Sequence, residues 1–191
     1  MFKNLLAELK INKTCLGGDQ MLGKKIMIIG CCGSGKSTLA KLLARTFDLP
    51  LIHLDREYYK PNWEKCPKNE WEEKVQNLVA KDEWIMDGNY YNTMSMRMEQ
   101  AETVIFLDVN RFLCVYRVIK RACSSKESVR SDMGKECHER LDMDFFRFVW
   151  NFNKTMRPRI YGLLKRYSEL NIVILKNGRD IKRFKSEIGI K

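Results

Sequence analysis

From Lys25 to Phe47 the chain reads KIMIIGCCGSGKSTLAKLLARTF, and this stretch constrains the fold more than any other. Gly30-x4-Gly35-Lys36-Ser37 fits the pattern G-x-x-x-x-G-K-[ST], which needs a strand before it and a helix after it. Both are there. KIMII is short, apolar and β-branched, while KSTLAKLLARTF sets Leu39, Leu42, Leu43 and Phe47 on one helical face. The residue types have physical reasons. Gly30, Gly33 and Gly35 let the backbone approach phosphate oxygens in conformations that other residues avoid. Successive N–H groups around Gly33, Ser34 and Gly35 then form an anion-binding concavity at a helix N-terminus. Lys36 is expected to reach the β- and γ-phosphates of ATP, Ser37 to place its hydroxyl on Mg²⁺, and Thr38 to reach the α-phosphate. A merely flexible turn is the competing reading, and the flanking strand and helix patterns speak against it. Cys31 and Cys32 read as small fillers of the variable positions.

Further runs of the strand type follow at 51–55 (LIHLD), 83–88 (EWIMDG), 103–109 (TVIFLDV) and 171–178 (NIVILKNG). They are nearly continuous rather than alternating, as strands buried on both faces are. Helical patterns lie between them, at 36–47, 69–81, 93–100, 110–123, 141–167 and 179–187. Strand–helix alternation predicts an α/β fold, a five-stranded parallel sheet covered by helices on both sides. In 141–167, Phe145, Val149 and Phe152 begin an apolar face that reads as core, and Pro158 predicts a kink or the start of a second helix. Residues 1–21 precede the first strand and read as an appendage, with Leu5, Leu6 and Leu9 able to make a short amphipathic helix. Residues 22–191 read as one domain.

Composition narrows the class. No stretch reaches the roughly 18 apolar residues that span a bilayer, and MFKNLLAELKINK lacks a secretory apolar core, so the expected location is cytoplasmic. Seven cysteines occur without a C-x-x-C pair, which fits reduced thiols better than a zinc site or a disulfide framework. Net charge is uneven. Residues 1–110 balance, whereas residues 111–191 carry 20 Lys and Arg against 9 Asp and Glu, with 11 of the 14 arginines. Such asymmetry suggests a polyanionic or phosphorylated partner, since the guanidinium fork matches phosphate oxygens; a solvated basic surface is the alternative.

Three segments complete a constellation. Asp55, in HLDREYYKP, stands near the carboxyl end of the second strand, where open α/β sheets bind ligands. It is either the base or orienter of a phosphate-accepting hydroxyl or a helix N-cap. Asp87, in MDGNYY, ends the third strand and could hold Mg²⁺ in the manner of a Walker B carboxylate, or simply start a turn. Asp108, ending the fourth strand, is a weaker candidate for the same role. In YRVIKRACSSKESVRSD, Arg117 and Arg121 share a helical face and Arg130 follows a polar segment. These arginines suit a lid, about 117–140, that closes on phosphates, or else a basic exposed helix. Tyr58, Tyr59, Trp63 and Trp71 lie where acceptor pockets of such sheets form, and could stack a base or pack.

Taken together, IIGCCGSGKSTLAKLLA, LPLIHLDREYYKPNW, WIMDGNY and YRVIKR resemble the adenylate-kinase-like group of P-loop kinases, and within it bacterial proteins labelled topology modulation proteins. The likeness covers about residues 22–185. It implies the three-layer P-loop NTPase fold with a short helical lid, ATP and Mg²⁺ as cofactors, and phosphoryl transfer to a nucleotide or nucleoside. By position and spacing Arg117, Arg121 and Arg130 match phosphate-clamping lid arginines. Two departures stand out: the lid lacks a zinc-binding cysteine quartet, and Asn89-Tyr90 replaces the Phe-Pro-Arg of adenylate kinases, whose proline and arginine help recognise a nucleoside monophosphate. The topology label implies a rival reading, an ATP-binding protein that modulates DNA topology, but no DNA-reading motif is present.

Overall fold

The computed structural model describes residues 22–124 and 143–190. Five strands form one sheet: β1 (Lys25–Gly30), β2 (Leu51–His53), β3 (Trp84–Asp87), β4 (Thr103–Leu107) and β5 (Asn171–Leu175). Their order is β2-β3-β1-β4-β5, and every pairing is parallel. The helices are α1 (Lys36–Phe47), α2 (Leu54–Tyr58), α3 (Lys68–Val79), α4 (Met94–Gln100), α5 (Arg111–Ser124), α6 (Met143–Arg166) and α7 (Gly178–Glu187). Parallel neighbours cannot be joined by tight turns, so each connection crosses over a face of the sheet. From β1 the chain steps to the β2 edge, then works back through β3 to β4 and β5. Right-handed crossovers taken in opposite directions put α1 on one face and α3 to α6 on the other. That is the three-layer architecture expected from the alternation.

The central strands are apolar because both faces are covered. Ile26 to Ile29, Trp84 to Met86 and Val104 to Phe106 are all fully buried. Fully burying one such side chain contributes about 1.5–3 kcal/mol, so the middle of the sheet carries much of the fold's stability. β1 and β3 are neighbours whose outgoing connections leave for opposite faces. A crevice opens at their carboxyl ends, the switch point where open sheets of this kind bind ligands.

Several boundaries differ from the sequence expectation. β2 stops at His53, and Asp55 belongs to the short helix α2 rather than to the strand end. Its N-cap is His53 and no side chain caps it, so Asp55 is not the helix cap. β5 ends at Leu175, because Asn177 caps α7 by accepting from the Arg179 and Asp180 N–H groups. Pro158 lies inside α6, which continues to Arg166 as one helix. A mid-helix proline costs about 3 kcal/mol. Here Val149 and Phe152 before it, and Ile160, Tyr161 and Leu164 after it, are buried and hold both halves in place. The 1–21 appendage, most of the proposed lid and Arg130 lie outside the described residues.

Candidate active site

The loop after β1 is shaped by its glycines. Gly30 and Gly33 have φ of +149° and +79°. A Cβ on Gly30 would lie 2.6 Å from the Leu107 carbonyl oxygen, and one on Gly33 would lie 2.5 Å from that of Cys114. Either contact would force backbone to move. Gly35, at φ +102°, begins α1 with no side-chain cap, so the first N–H groups of the helix remain available to an anion. Ser34 is fully buried, and its Oγ has no hydrogen-bond partner among the described residues.

A cleft of about 510 Å³ opens over this loop. Its walls include Lys36, Ser37, Asp55, Asp87, Arg117 and Arg121, residues drawn from four separate segments of the sequence. Gly33, Ser34, Gly35 and Thr38 line it as well, together with Lys185 of α7, which the sequence reading did not single out. Lys36 Nζ donates to the Cys31 carbonyl at 3.2 Å. Desolvation works against its ammonium, but Cys32, Asp87 and Asp55 outweigh that and raise its pKa above the ordinary lysine value. Arg117 leans on the loop, with Nη1 3.4 Å from the Gly33 and Ser34 carbonyl oxygens. The Cys31 thiol hydrogen-bonds Cys114, and that bond together with burial pushes its pKa far above the usual thiol range. It therefore stays protonated and fills space.

Asp87 ends β3 and is nearly buried. Its Oδ2 meets His53 Nδ1 at 3.1 Å, both side chains being 5% exposed. The pairing is a consequence of sheet register, since His53 and Asp87 are cross-strand partners. The other oxygen, Oδ1, is buried without a hydrogen-bond partner among the described residues. One such carboxylate oxygen and the Ser37 hydroxyl on the same cleft fit a Mg²⁺ that takes its remaining ligands from phosphate and water. No cluster of three or more His, Cys, Asp or Glu able to hold a metal occurs among the described residues.

Asp108 is a correction. Its carboxylate receives Arg157 Nε on Oδ1 and Nη2 on Oδ2, each at 2.7 Å, and Tyr161 OH on Oδ2 at 2.7 Å. Both oxygens are thus engaged by α6, and the side chain is only 4% exposed. The residue ties α6 to the end of β4 and leaves nothing for a metal. Asp108→Ala is expected to destabilise the protein by about 3 kcal/mol, the lower end for a broken buried pair because Arg157 is 30% exposed. Chemical denaturation would measure this. A loss of ATP·Mg²⁺ affinity at unchanged stability would instead return Asp108 to the site.

Asp55 faces the cleft from α2, and its Oδ1 accepts from Tyr90 OH at 2.7 Å. Tyr90 belongs to a ring cluster with Tyr58 and Trp71, centroids 4.8 to 5.1 Å apart. Trp71 is only 4% exposed. Between stacking a base and packing, Trp71 therefore packs. Tyr59 and Trp63 form a second contact at 5.1 Å.

Sheet order, the phosphate-type loop and the Asp87 carboxylate at the end of β3 together match a P-loop kinase-like fold. No family model matches the chain, and no curated protein matches it. Solved structures do share the fold. A shikimate kinase from Acinetobacter baumannii in complex with shikimate aligns at a TM-score of 0.56 and 16% identity, over 88% of this chain and 95% of that one. A gluconokinase from Sinorhizobium meliloti 1021 aligns at 0.51 and 13% identity, over 88% and 90%.

Proposed function

We propose that the protein transfers the γ-phosphoryl group of ATP to a hydroxyl or phosphate oxygen of a small acceptor, a nucleoside or nucleotide. The observation that carries this reading is the convergence of Lys36, Ser37 and Asp87 with Asp55 in one cleft. A phosphate-binding module alone would need the loop but no carboxylate opposite it. In this mechanism the loop N–H groups and Lys36 hold the β- and γ-phosphates, and Lys36 balances charge as the phosphoryl group moves. Ser37 and Asp87 would hold Mg²⁺, which screens phosphate charge and aligns the oxygens. Asp55, oriented by Tyr90, accepts the proton of the attacking hydroxyl or fixes its direction. Arg117 and Arg121 stabilise charge on the transferring group from α5, and Arg130 is assigned the same role from the segment beyond.

The shikimate kinase and the gluconokinase are named for hydroxylated acids, which makes hydroxyl acceptors a natural control. The resemblance to adenylate-kinase-like enzymes favours nucleosides or nucleotides. The DNA-topology reading has no observation in its favour among the described residues. The test is ADP release from ATP and Mg²⁺ with nucleosides, nucleoside monophosphates and small polyhydroxy acids in turn. At least one nucleoside or nucleotide is expected to accelerate release ~10²-fold or more over the water background. Acceleration only by a hydroxy acid would change the acceptor class. ATP binding with no acceptor-dependent release would overturn the kinase.

A further inference from the structure

β1 outruns its neighbour. Its last register partner on β3 is Asp87, opposite Ile28, and the Gly88 N–H still reaches the Ile28 carbonyl at 3.2 Å. The following rung would need a main-chain partner for Gly30, and β3 has none to offer. The Asn89 side chain supplies it. Its Nδ2 donates to the Gly30 carbonyl at 2.8 Å, and its Oδ1 accepts from the Gly30 N–H at 3.0 Å. A single amide stands in for a peptide group and fixes the residue from which the phosphate loop departs. On its other side Gly30 is in register with Leu107, which leaves no room for a Cβ. The loop's point of departure is thus gripped from both sides.

Asn89 is itself held from beneath. Arg97 is fully buried, and its hydrogen-bond partners among the described residues include no carboxylate. Its guanidinium donates to the carbonyls of Gly88 at 3.0 Å, Tyr90 at 3.1 Å and Thr93 at 3.4 Å, and to that of Asn89. Burial lowers its pKa to about 9, which leaves it charged at neutral pH. A buried cation is costly unless its donors are satisfied, and here a planar fork with five N–H groups matches a tight turn of carbonyls. Tyr90, in the same turn, has φ of +37°, a conformation few aromatic residues adopt unless their surroundings impose it. It delivers its hydroxyl to Asp55.

We infer that Asn89 is a positioning residue for the phosphate loop, and that the turn 88–90, held by Arg97, fixes the donor loop and the Asp55 carboxylate relative to each other. The inference deepens the proposed function and rests on it only in taking ATP as the loop's ligand. The test is calorimetric titration with ATP·Mg²⁺, and with inorganic tripolyphosphate as a nucleotide-free probe. The proteins compared are wild type, Asn89→Ala, Asn89→Ser and Val75→Ala, the last being a core change on α3 at a residue that does not line the cleft. Loss of a positioned amide is expected to weaken both ligands by ~10-fold or more in Asn89→Ala. Val75→Ala is expected to melt earlier than wild type with both affinities unchanged, which separates positioning from stability. Folded Asn89→Ala with affinities within about twofold of wild type would overturn the inference. If Asn89→Ala does not fold, Asn89→Ser decides by the same criterion. Wild type binding tripolyphosphate but not ATP would sink the kinase reading alone, and the Asn89 comparison would then be read with tripolyphosphate. Binding of neither probe overturns both.

Discussion

Lys36→Ala is expected to lower ATP turnover by ~10³-fold or more while the fold survives, because charge aimed at a transferring phosphoryl group is worth several kcal/mol in a dry cleft. The side chain belongs to the cleft rather than to the core, and it donates to the Cys31 carbonyl. Truncation therefore removes charge and little packing. Wild type and variant would be compared by ADP release with the best acceptor, with thermal unfolding run in parallel. Comparable turnover in the folded variant would end the phosphoryl-transfer reading.

Asp55→Asn is expected to reduce kcat by ~10²-fold or more, with ATP affinity little changed. The substitution is isosteric, and the amide oxygen can still accept from Tyr90 OH, so the side chain should keep its place. What disappears is the capacity to take a proton and the negative charge that orients a hydroxyl. Steady-state kinetics on the acceptor, paired with an ATP titration, separates the two effects. Unchanged kcat would reduce Asp55 to a structural partner of Tyr90.

The parts that were legible in the sequence are those written in consecutive residues. The phosphate loop is contiguous, and strands buried on both faces announce themselves as apolar runs. Asp87 and Asp108 show the limit of that kind of reading. Both close an apolar run with a carboxylate, yet one opens to the cleft and the other is taken by Arg157, 49 residues onward. Only the packing of α6 distinguishes them. His53 is one residue of the LIHLD run, and its pairing with Asp87 follows only from the register of β2 against β3. Asn89 stands out in the sequence only as a departure from adenylate kinases, since a side chain standing in for a strand can be seen only once the strand is known to stop. Arg97 stands three residues after Met94 and so shares its helical face, but only the structure shows that this face is buried. Pro158 went the other way. The local rule was sound, and the apolar residues on each side of it were stronger.

Gly33 sits where a Cβ would strike the Cys114 carbonyl oxygen at 2.5 Å and the Val118 side chain at 3.1 Å. The phosphate loop therefore rests directly on the backbone of α5, the helix that also carries Arg117 and Arg121. Any larger residue at this point would act as a wedge and lever the two arginines away from the cleft. Gly33 is in this sense a spacer of minimum thickness, and it sets the stand-off between two groups of positive charge that act on one phosphate in the proposed mechanism. At Gly33 the loop and the helix are already in backbone contact, so no space is left between them at that point. Reach into the cleft then comes from the arginine side chains, which line it from α5.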